Sequence, residues 1–248
     1  MAGFFGEHEA ERYDRSTGEE FDPEVIAATV DFLVALAGDG RALELGIGTG
    51  RIALPLAQRG VLVHGIDLSQ PMVDQLRAKP GAAAIDVTIG DFSTTRVDGE
   101  FSLAYLVFNT IENLTSQEAQ VACFRNAAAH LEPGGHFVIE CAIPDLRRLS
   151  PGERTVVFDL SDDHWGIDEY DVVNQGLVSH HLTRVGDGIE YSSGPFRYVW
   201  PSELDLMARL AGMRLVERWS GWKREPFTSE SRKHISVWEK PRGEASAG

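Results

Sequence analysis

Cysteine and long apolar runs are both scarce in this chain of 248 residues. Its two cysteines, Cys123 and Cys141, cannot form a disulfide framework, and the sequence has neither a CxxC motif nor a Cys/His cluster. We therefore predict no metal site. No apolar run reaches the roughly 20 residues of a membrane-spanning helix, and the polar N-terminal segment does not resemble a signal peptide. We expect a cytoplasmic protein that has no membrane partner.

Clustered positive charge is also missing. The chain has 38 acidic and 23 basic residues, a net charge of −15, and its lysines and arginines form no run. A nucleic-acid partner needs such clusters to neutralise phosphates, so we expect none. The length suits one α/β domain with an insertion, and we expect a monomer or a homodimer.

Short apolar runs alternate with helical patterns over the first part of the chain. The predicted strands are Arg41–Leu45, Val61–Ile66, Ile85–Ile89, Phe101–Phe108 and His136–Ala142. A helix capped by Asp22 precedes them, and the helix at Ser116–Leu131 is predicted to begin with a capping box of Thr115 and Glu118. This alternation favours a parallel sheet with helices on both faces.

Residues 144–200 break the alternation. Four short β-like runs with a Gly-Asp-Gly turn at 186–188 predict a small antiparallel sheet inserted into the main domain. Strands at Arg214–Trp219 and His234–Glu239 would then complete the main sheet. The predicted fold is α/β: a Rossmann-like, seven-stranded, mostly parallel sheet with helices on both faces and an antiparallel β insertion after strand five. The predicted division is a helical lid at 1–40, a core at 41–143 and 201–240, the insertion at 144–200, and a disordered tail at 241–248.

Three glycines, Gly46, Gly48 and Gly50, follow the first predicted strand in the segment ALELGIGTGR. Ligands of open α/β sheets bind at the carboxyl ends of the strands, and glycine allows a backbone to approach a cofactor closely. The dinucleotide motif GxGxxG would need a third glycine where Arg51 stands, which weakens the alternative of an NAD(P)-dependent oxidoreductase. That alternative stays open at this point.

Five motifs in chain order resemble those of class I S-adenosylmethionine (SAM) dependent methyltransferases. They are ELGIGTG at 44–50, GIDLS at 65–69, GDF at 90–92, LVFNT at 106–110 and LEPGGHFVIE at 131–140. The resemblance implies transfer of a methyl group from SAM to an O or N atom, with S-adenosylhomocysteine as the product. The insertion after strand five is similar to that of natural-product methyltransferases, which suggests a secondary metabolite as substrate. A SAM-binding protein of the same fold that does not methylate is the other alternative.

The resemblance also assigns cofactor contacts to the strand ends. Asp67 would accept hydrogen bonds from the ribose hydroxyls, Asp91 would accept from the adenine amino group, and Glu44 would orient the aminoacid end. Further cofactor contacts are predicted at Tyr13, Gly46, Gly48, Gly50, Leu68, Met72, Phe92, Phe108 and Asn109.

Candidate catalytic and substrate residues lie mainly in the insertion. A hydroxyl nucleophile benefits from a general base, most often histidine. His180 and His181 are adjacent, so on a strand they point to opposite faces, and we predict that one of them is the base. The alternation of side chains along the strand does not decide which of the two histidines faces the cleft. Substrate contacts are predicted at Glu112, Glu140, Arg197, Tyr198 and Trp200.

Overall fold

The computed structural model describes residues 6–14 and 18–243. The helices of this described part are α1 (Glu7–Tyr13), α2 (Pro23–Ala37), α3 (Ala53–Gln58), α4 (Gln70–Arg77), α5 (Gln117–His130) and α6 (Pro201–Leu210). Its strands are β1 (Arg41–Leu45), β2 (Leu62–Asp67), β3 (Asp86–Ile89), β4 (Phe101–Leu106), β5 (Leu131–Ala142), β6 (Thr155–Leu160), β7 (His164–Asp171), β8 (Gly176–Val185), β9 (Gly188–Arg197), β10 (Arg214–Trp219) and β11 (Lys233–Glu239).

Seven of these strands form one mixed sheet in the order β10-β11-β5-β4-β1-β2-β3. The five strands from β1 to β5 pair in parallel, and β11 runs antiparallel to both of its neighbours. Every residue of β4 is buried, as expected for a central strand covered on both faces. Each face of the sheet has its own apolar layer, one around Phe124 and Trp238 and the other around Leu33 and Tyr105. The predicted fold class is confirmed.

Local capping explains where two helices begin. Asp22 accepts a hydrogen bond from the N–H of Glu24 at 2.7 Å, which starts α2 as predicted. The cap of α5 differs from the prediction. The hydroxyl of Ser116 accepts from the N–H of Ala119 at 3.1 Å, so Ser116 is the cap and Thr115 lies one residue too early. The predicted capping box is therefore wrong.

The insertion is a four-stranded antiparallel sheet in the order β6-β7-β8-β9. Its last strand is fixed to the core by Arg197, which is buried and lies 2.8 Å from the carboxylate of Glu203 in α6. The same guanidinium donates to the side chain of Gln120 in α5. A buried pair of this kind is costly to break, so the insertion and the core helices keep a fixed relation.

The N-terminal helix α1 lies between the core and the insertion. Asp14, at its end, pairs with Lys79 at 2.5 Å and accepts a hydrogen bond from the Thr49 hydroxyl at 2.6 Å. Arg12 pairs with Glu190 of β9 at 2.8 Å. Parts of the predicted lid (1–5 and 15–17) and of the predicted tail (244–248) lie outside the described residues. None of the described helices combines the length and apolarity of a membrane crossing.

Candidate active site

A cavity of about 890 Å³ lies at the carboxyl ends of β1, β2 and β4. Its volume falls in the range of roughly 300–1,000 Å³ that is usual for small-molecule sites. The core side of its lining includes Glu44, Gly46, Gly48, Asp67, Leu68, Met72, Asp91, Phe92 and Phe108. Tyr13 of α1 and Ser192, Ser193, Pro195 and Phe196 of β9 form other parts of the wall. Most of the predicted cofactor residues thus meet in one space.

The glycine loop takes a backbone path that other residues would strain. Gly46, Gly48 and Gly50 have φ values of +79°, +53° and +78°. A Cβ on Gly50 would lie 2.3 Å from Cδ1 of Leu76, whereas one on Gly48 would meet only Cε of Met72, at 3.4 Å. Because Gly48 and Met72 both line the cavity, the loop backbone is directly accessible to a ligand.

The carboxylate of Asp67 is held by two backbone N–H groups. Its Oδ2 accepts from Gly48 at 2.7 Å and its Oδ1 accepts from Ser69 at 2.8 Å. Burial raises the pKa of Asp67, and these hydrogen bonds oppose that rise. A carboxylate oxygen can accept more than one hydrogen bond, so Asp67 keeps capacity for a donor in the cavity.

Glu44 is the most deeply buried acid of the site, with 3% of its surface exposed. The Tyr105 hydroxyl on the neighbouring strand β4 donates to its Oε2 at 2.9 Å. Burial raises the pKa of Glu44 to about 8, although the bond from Tyr105 and the charge of Arg51 act in the opposite direction. At neutral pH this side chain is therefore mostly protonated.

Phe108 and Asn109 both take positive φ, 53° and 58°, which is uncommon outside glycine. The Phe108 N–H donates to Oε2 of Glu140 at 3.0 Å, and the side chain of Asn109 accepts from the N–H of Ala142 at 2.7 Å. These bonds tie the ends of β4 and β5 together. They leave the Phe108 ring in the cavity wall, while Asn109 and Glu140 are not among the lining residues.

Asp91 caps the turn that follows β3. Its Oδ1 accepts from both the N–H and the hydroxyl of Ser93, at 2.8 Å and 2.7 Å. The neighbouring Phe92 and Met72 are buried, and Leu68 is 46% exposed at the cavity. This part of the cavity combines apolar surface with a carboxylate, which suits a flat ring that has polar edges.

The two predicted histidines do point to opposite faces of the inserted sheet. In the β8–β9 pairing His181 lies across from Ser192 and His180 across from Ser193; both serines line the cavity, whereas neither histidine does. The His181 ring contacts the Ser179 hydroxyl at 3.2 Å. On the opposite face His180 stacks on Tyr191, with 2.8 Å between Nδ1 and the phenol oxygen.

His181 belongs to a hydrogen-bonded chain within the insertion. Its Nδ1 lies 3.0 Å from Nε2 of His164, and Nδ1 of His164 lies 2.6 Å from the carboxylate of Asp159. Burial and the two neighbouring histidines lower the pKa of His181. The chain fixes the orientation of both imidazole rings.

Five predicted substrate residues are absent from the described cavity lining; they are Glu112, Glu140, Arg197, Tyr198 and Trp200. Arg197 and Glu140 make the structural contacts described above, and Tyr198 is buried against Tyr170. Glu112 is 8% exposed and accepts from the Cys141 thiol at 3.6 Å, and burial raises its pKa to about 8. The structure does not bring these side chains to the cofactor side.

Some lining residues were not predicted as site residues. The sequence singles out Arg51 only because it stands where the dinucleotide motif has its third glycine, yet Arg51 lines the cavity immediately after the loop. Its position, one residue after Gly50, is the signal that points to it. Ser192 and Ser193 belong to an edge strand, and nothing in their sequence distinguishes them from surface serines.

The fold and cavity define an α/β protein with a nucleotide-type cofactor site at its strand ends. A methyltransferase domain family matches residues 42–135. The cypemycin N-terminal methyltransferase of a Streptomyces species is 30% identical over 206 residues, which cover 82% of this chain and 84% of that protein.

Solved structures have the same architecture. The CcbJ methyltransferase of Streptomyces caelestis is 36% identical with a TM-score of 0.87, over 97% of this chain and 99% of that one. SAM-bound CalS10, an amino pentose methyltransferase of Micromonospora echinaspora, shares the fold at 21% identity with a TM-score of 0.68, over 94% and 96%.

The chain belongs to the SAM-dependent methyltransferases. The family predicted from the five sequence motifs is confirmed, and the oxidoreductase alternative is set aside. The relatives include natural-product methyltransferases.

Proposed function

We propose that the protein transfers the methyl group of SAM to an amine nitrogen of a natural product. The main observation in support is that a single cavity extends from the glycine loop to the residues of β9. Such a cavity can hold a cofactor and a second molecule side by side, which is the main requirement for direct transfer between them. The 30% identical relative, named as an N-terminal methyltransferase, favours nitrogen over oxygen.

The described residues fit SAM. Gly48 exposes backbone to the cavity, and Asp67 has acceptor capacity for a pair of ribose hydroxyls. The apolar surface of Met72 and Phe92 suits the adenine ring, with Asp91 to accept from its amino group. SAM, when bound, supplies a methyl group already activated on a sulfonium.

On the substrate side, the protein aligns the nucleophile, excludes water and accepts a proton. An amine attacks only as the free base, so a neutral acceptor near the cavity helps. We assign this role to His181, because it shares a face of β8 with the buried Leu177 and Ser179, and because burial favours its neutral form. His164 and Asp159 orient its ring.

Binding and turnover test the proposal separately. Titration calorimetry with S-adenosylhomocysteine should show binding at micromolar concentrations, and methyl-labelled SAM should label amine substrates. The substrate panel contains short peptides with free N-termini, amino sugars, and matched analogues in which a hydroxyl replaces the amine. Label on the amines alone supports the proposal. Label on the hydroxyl analogues would establish O-methylation instead, and cofactor binding without label on any compound would contradict amine transfer.

A further inference from the structure

Arg51 places a guanidinium in the wall of the cofactor cavity. Its Cζ lies 5.6 Å from the centre of the Phe108 ring and 5.4 Å from that of Phe21. Its Nη1 donates to the backbone carbonyl of Glu20 at 2.6 Å. The side chain therefore connects the glycine loop, the end of β4 and the segment that precedes α2.

This cation has no carboxylate partner at ion-pair distance within residues 6–14 and 18–243. Arg197 and Arg218, by contrast, lie 2.8 Å and 2.7 Å from the carboxylates of Glu203 and Asp205. An arginine has five N–H donors in a planar fork that matches a carboxylate. In the described part of the chain Arg51 contacts the carbonyl of Glu20 and two aromatic rings. Most of its five N–H donors therefore have no hydrogen-bond partner there.

Glu44 does not neutralise the guanidinium. The charge of Arg51 lowers the pKa of Glu44, but deep burial outweighs this effect and raises that pKa to about 8. Glu44 is therefore mostly protonated at neutral pH. Arg51 therefore brings a positive charge to a cavity wall that also contains the carboxylates of Asp67 and Asp91. A local positive site of this kind suits an anionic group of a ligand.

We propose that Arg51 binds the carboxylate at the aminoacid end of SAM. This assignment rests on SAM binding in the cavity as proposed above. It is consistent with the strand order, in which β1 and its glycine loop lie between β2, which ends at Asp67, and β4, which leads into Phe108. It also gives a reason for arginine at this position: the residue after the loop provides charge, where a dinucleotide site has a glycine for close packing. Through Glu20 and Phe21, the same side chain links the bound carboxylate to the N-terminal segment.

A comparison of two ligands tests the assignment. S-Adenosylhomocysteine and its decarboxylated analogue, 5′-deoxy-5′-(3-aminopropylthio)adenosine, differ only in the carboxylate. Calorimetry on the wild-type protein should show a preference for S-adenosylhomocysteine of about tenfold to a hundredfold, the range of a charge-assisted hydrogen-bonded contact. Arg51→Gln should remove that preference and leave the affinity for the analogue nearly unchanged.

Two further variants complete the design. Arg59→Gln changes an exposed arginine at the other end of α3 and should keep the wild-type preference. Arg51→Lys keeps the charge but loses the planar fork of N–H donors, so it should show an intermediate preference. This variant replaces Arg51→Gln in the test if the glutamine variant does not fold.

The outcomes are distinct. Equal losses of affinity for both ligands in Arg51→Gln would overturn the carboxylate contact and leave Arg51 as a link to the N-terminal segment. Equal wild-type affinities for both ligands would also overturn it. Failure of the wild-type protein to bind either ligand would instead contradict the proposed cofactor site as a whole.

Discussion

The backbone N–H of Gly48 donates to the carboxylate of Asp67 at 2.7 Å. This bond joins the loop after β1 to the acidic end of β2, so the two predicted cofactor motifs form one unit. The carboxylate is oriented before a ligand arrives, which lowers the entropy cost of binding. The loop and the acid should therefore respond together to substitution.

Asp67→Ala should lower the affinity for S-adenosylhomocysteine by about tenfold to a hundredfold, because it removes the acceptor for the ribose hydroxyls and frees the Gly48 N–H. Calorimetry measures the change. Asp74→Ala, at an exposed position of α4, is the matched control and should bind as the wild type does. Wild-type affinity in Asp67→Ala would exclude Asp67 from the cofactor site.

Gly50→Ala should destabilise the fold by roughly 2–4 kcal/mol, since it combines a positive φ with a Cβ 2.3 Å from Leu76. Gly60→Ala separates the two effects, because Gly60 has φ +90° and nothing within 4 Å of the added Cβ. Its cost should be only about 1 kcal/mol. Urea unfolding of both variants measures the difference, and equal costs would show that the contact with Leu76 relaxes freely.

The contribution of Glu112 to stability should fall as the pH rises from about 4.5 to about 8. The folded protein keeps a proton on Glu112 up to a pKa of about 8, whereas the unfolded chain releases it near the ordinary glutamate pKa of 4.5. Glu112→Gln should flatten this slope by a few kcal/mol at most, on the order of the shift itself. The free energy of unfolding at several pH values tests it, with Glu118→Gln on the exposed side of α5 as the control. An unchanged slope in Glu112→Gln would contradict the buried, protonated state of this acid.

His181→Ala should lower turnover by about 10²-fold or more and leave the affinity for S-adenosylhomocysteine unchanged. His180→Ala should have a small effect, since that ring stacks on Tyr191 on the opposite face of the sheet. Initial rates with a labelled methyl donor, together with calorimetry, separate the two effects. If both variants turn over at the wild-type rate, histidine has no part in the proton transfer.

Much of the fold was predictable because its signals are local. The apolar run of β1 and the cap at Asp22 are both visible within a few residues of sequence. The same is true of Gly48 and Asp67, which are adjacent to strand ends and reach the cavity as a consequence of the parallel topology. The start of β5 was predicted five residues late, at His136, because proline and glycine precede it.

Two of the predicted site residues that do not line the cavity have partners far away in the chain. Asn109 bonds to Ala142, and Arg197 bonds to Gln120. Their polarity is visible in the sequence, but the partner that uses it is not. The choice between His180 and His181 was open for a related reason, since alternation along a strand does not say which face meets the core.

The two sides of the cavity come from separate stretches of the chain. Residues between 44 and 114 provide the core side, and the edge strand β9 contributes Ser192, Ser193, Pro195 and Phe196; Gly6 and Tyr13 add a smaller part. Because Arg197 fixes the end of that strand to the core helices, the wall keeps its place when the side chains just before it change. If SAM occupies the core side as proposed, substitutions in this short segment should change substrate preference while cofactor binding stays the same.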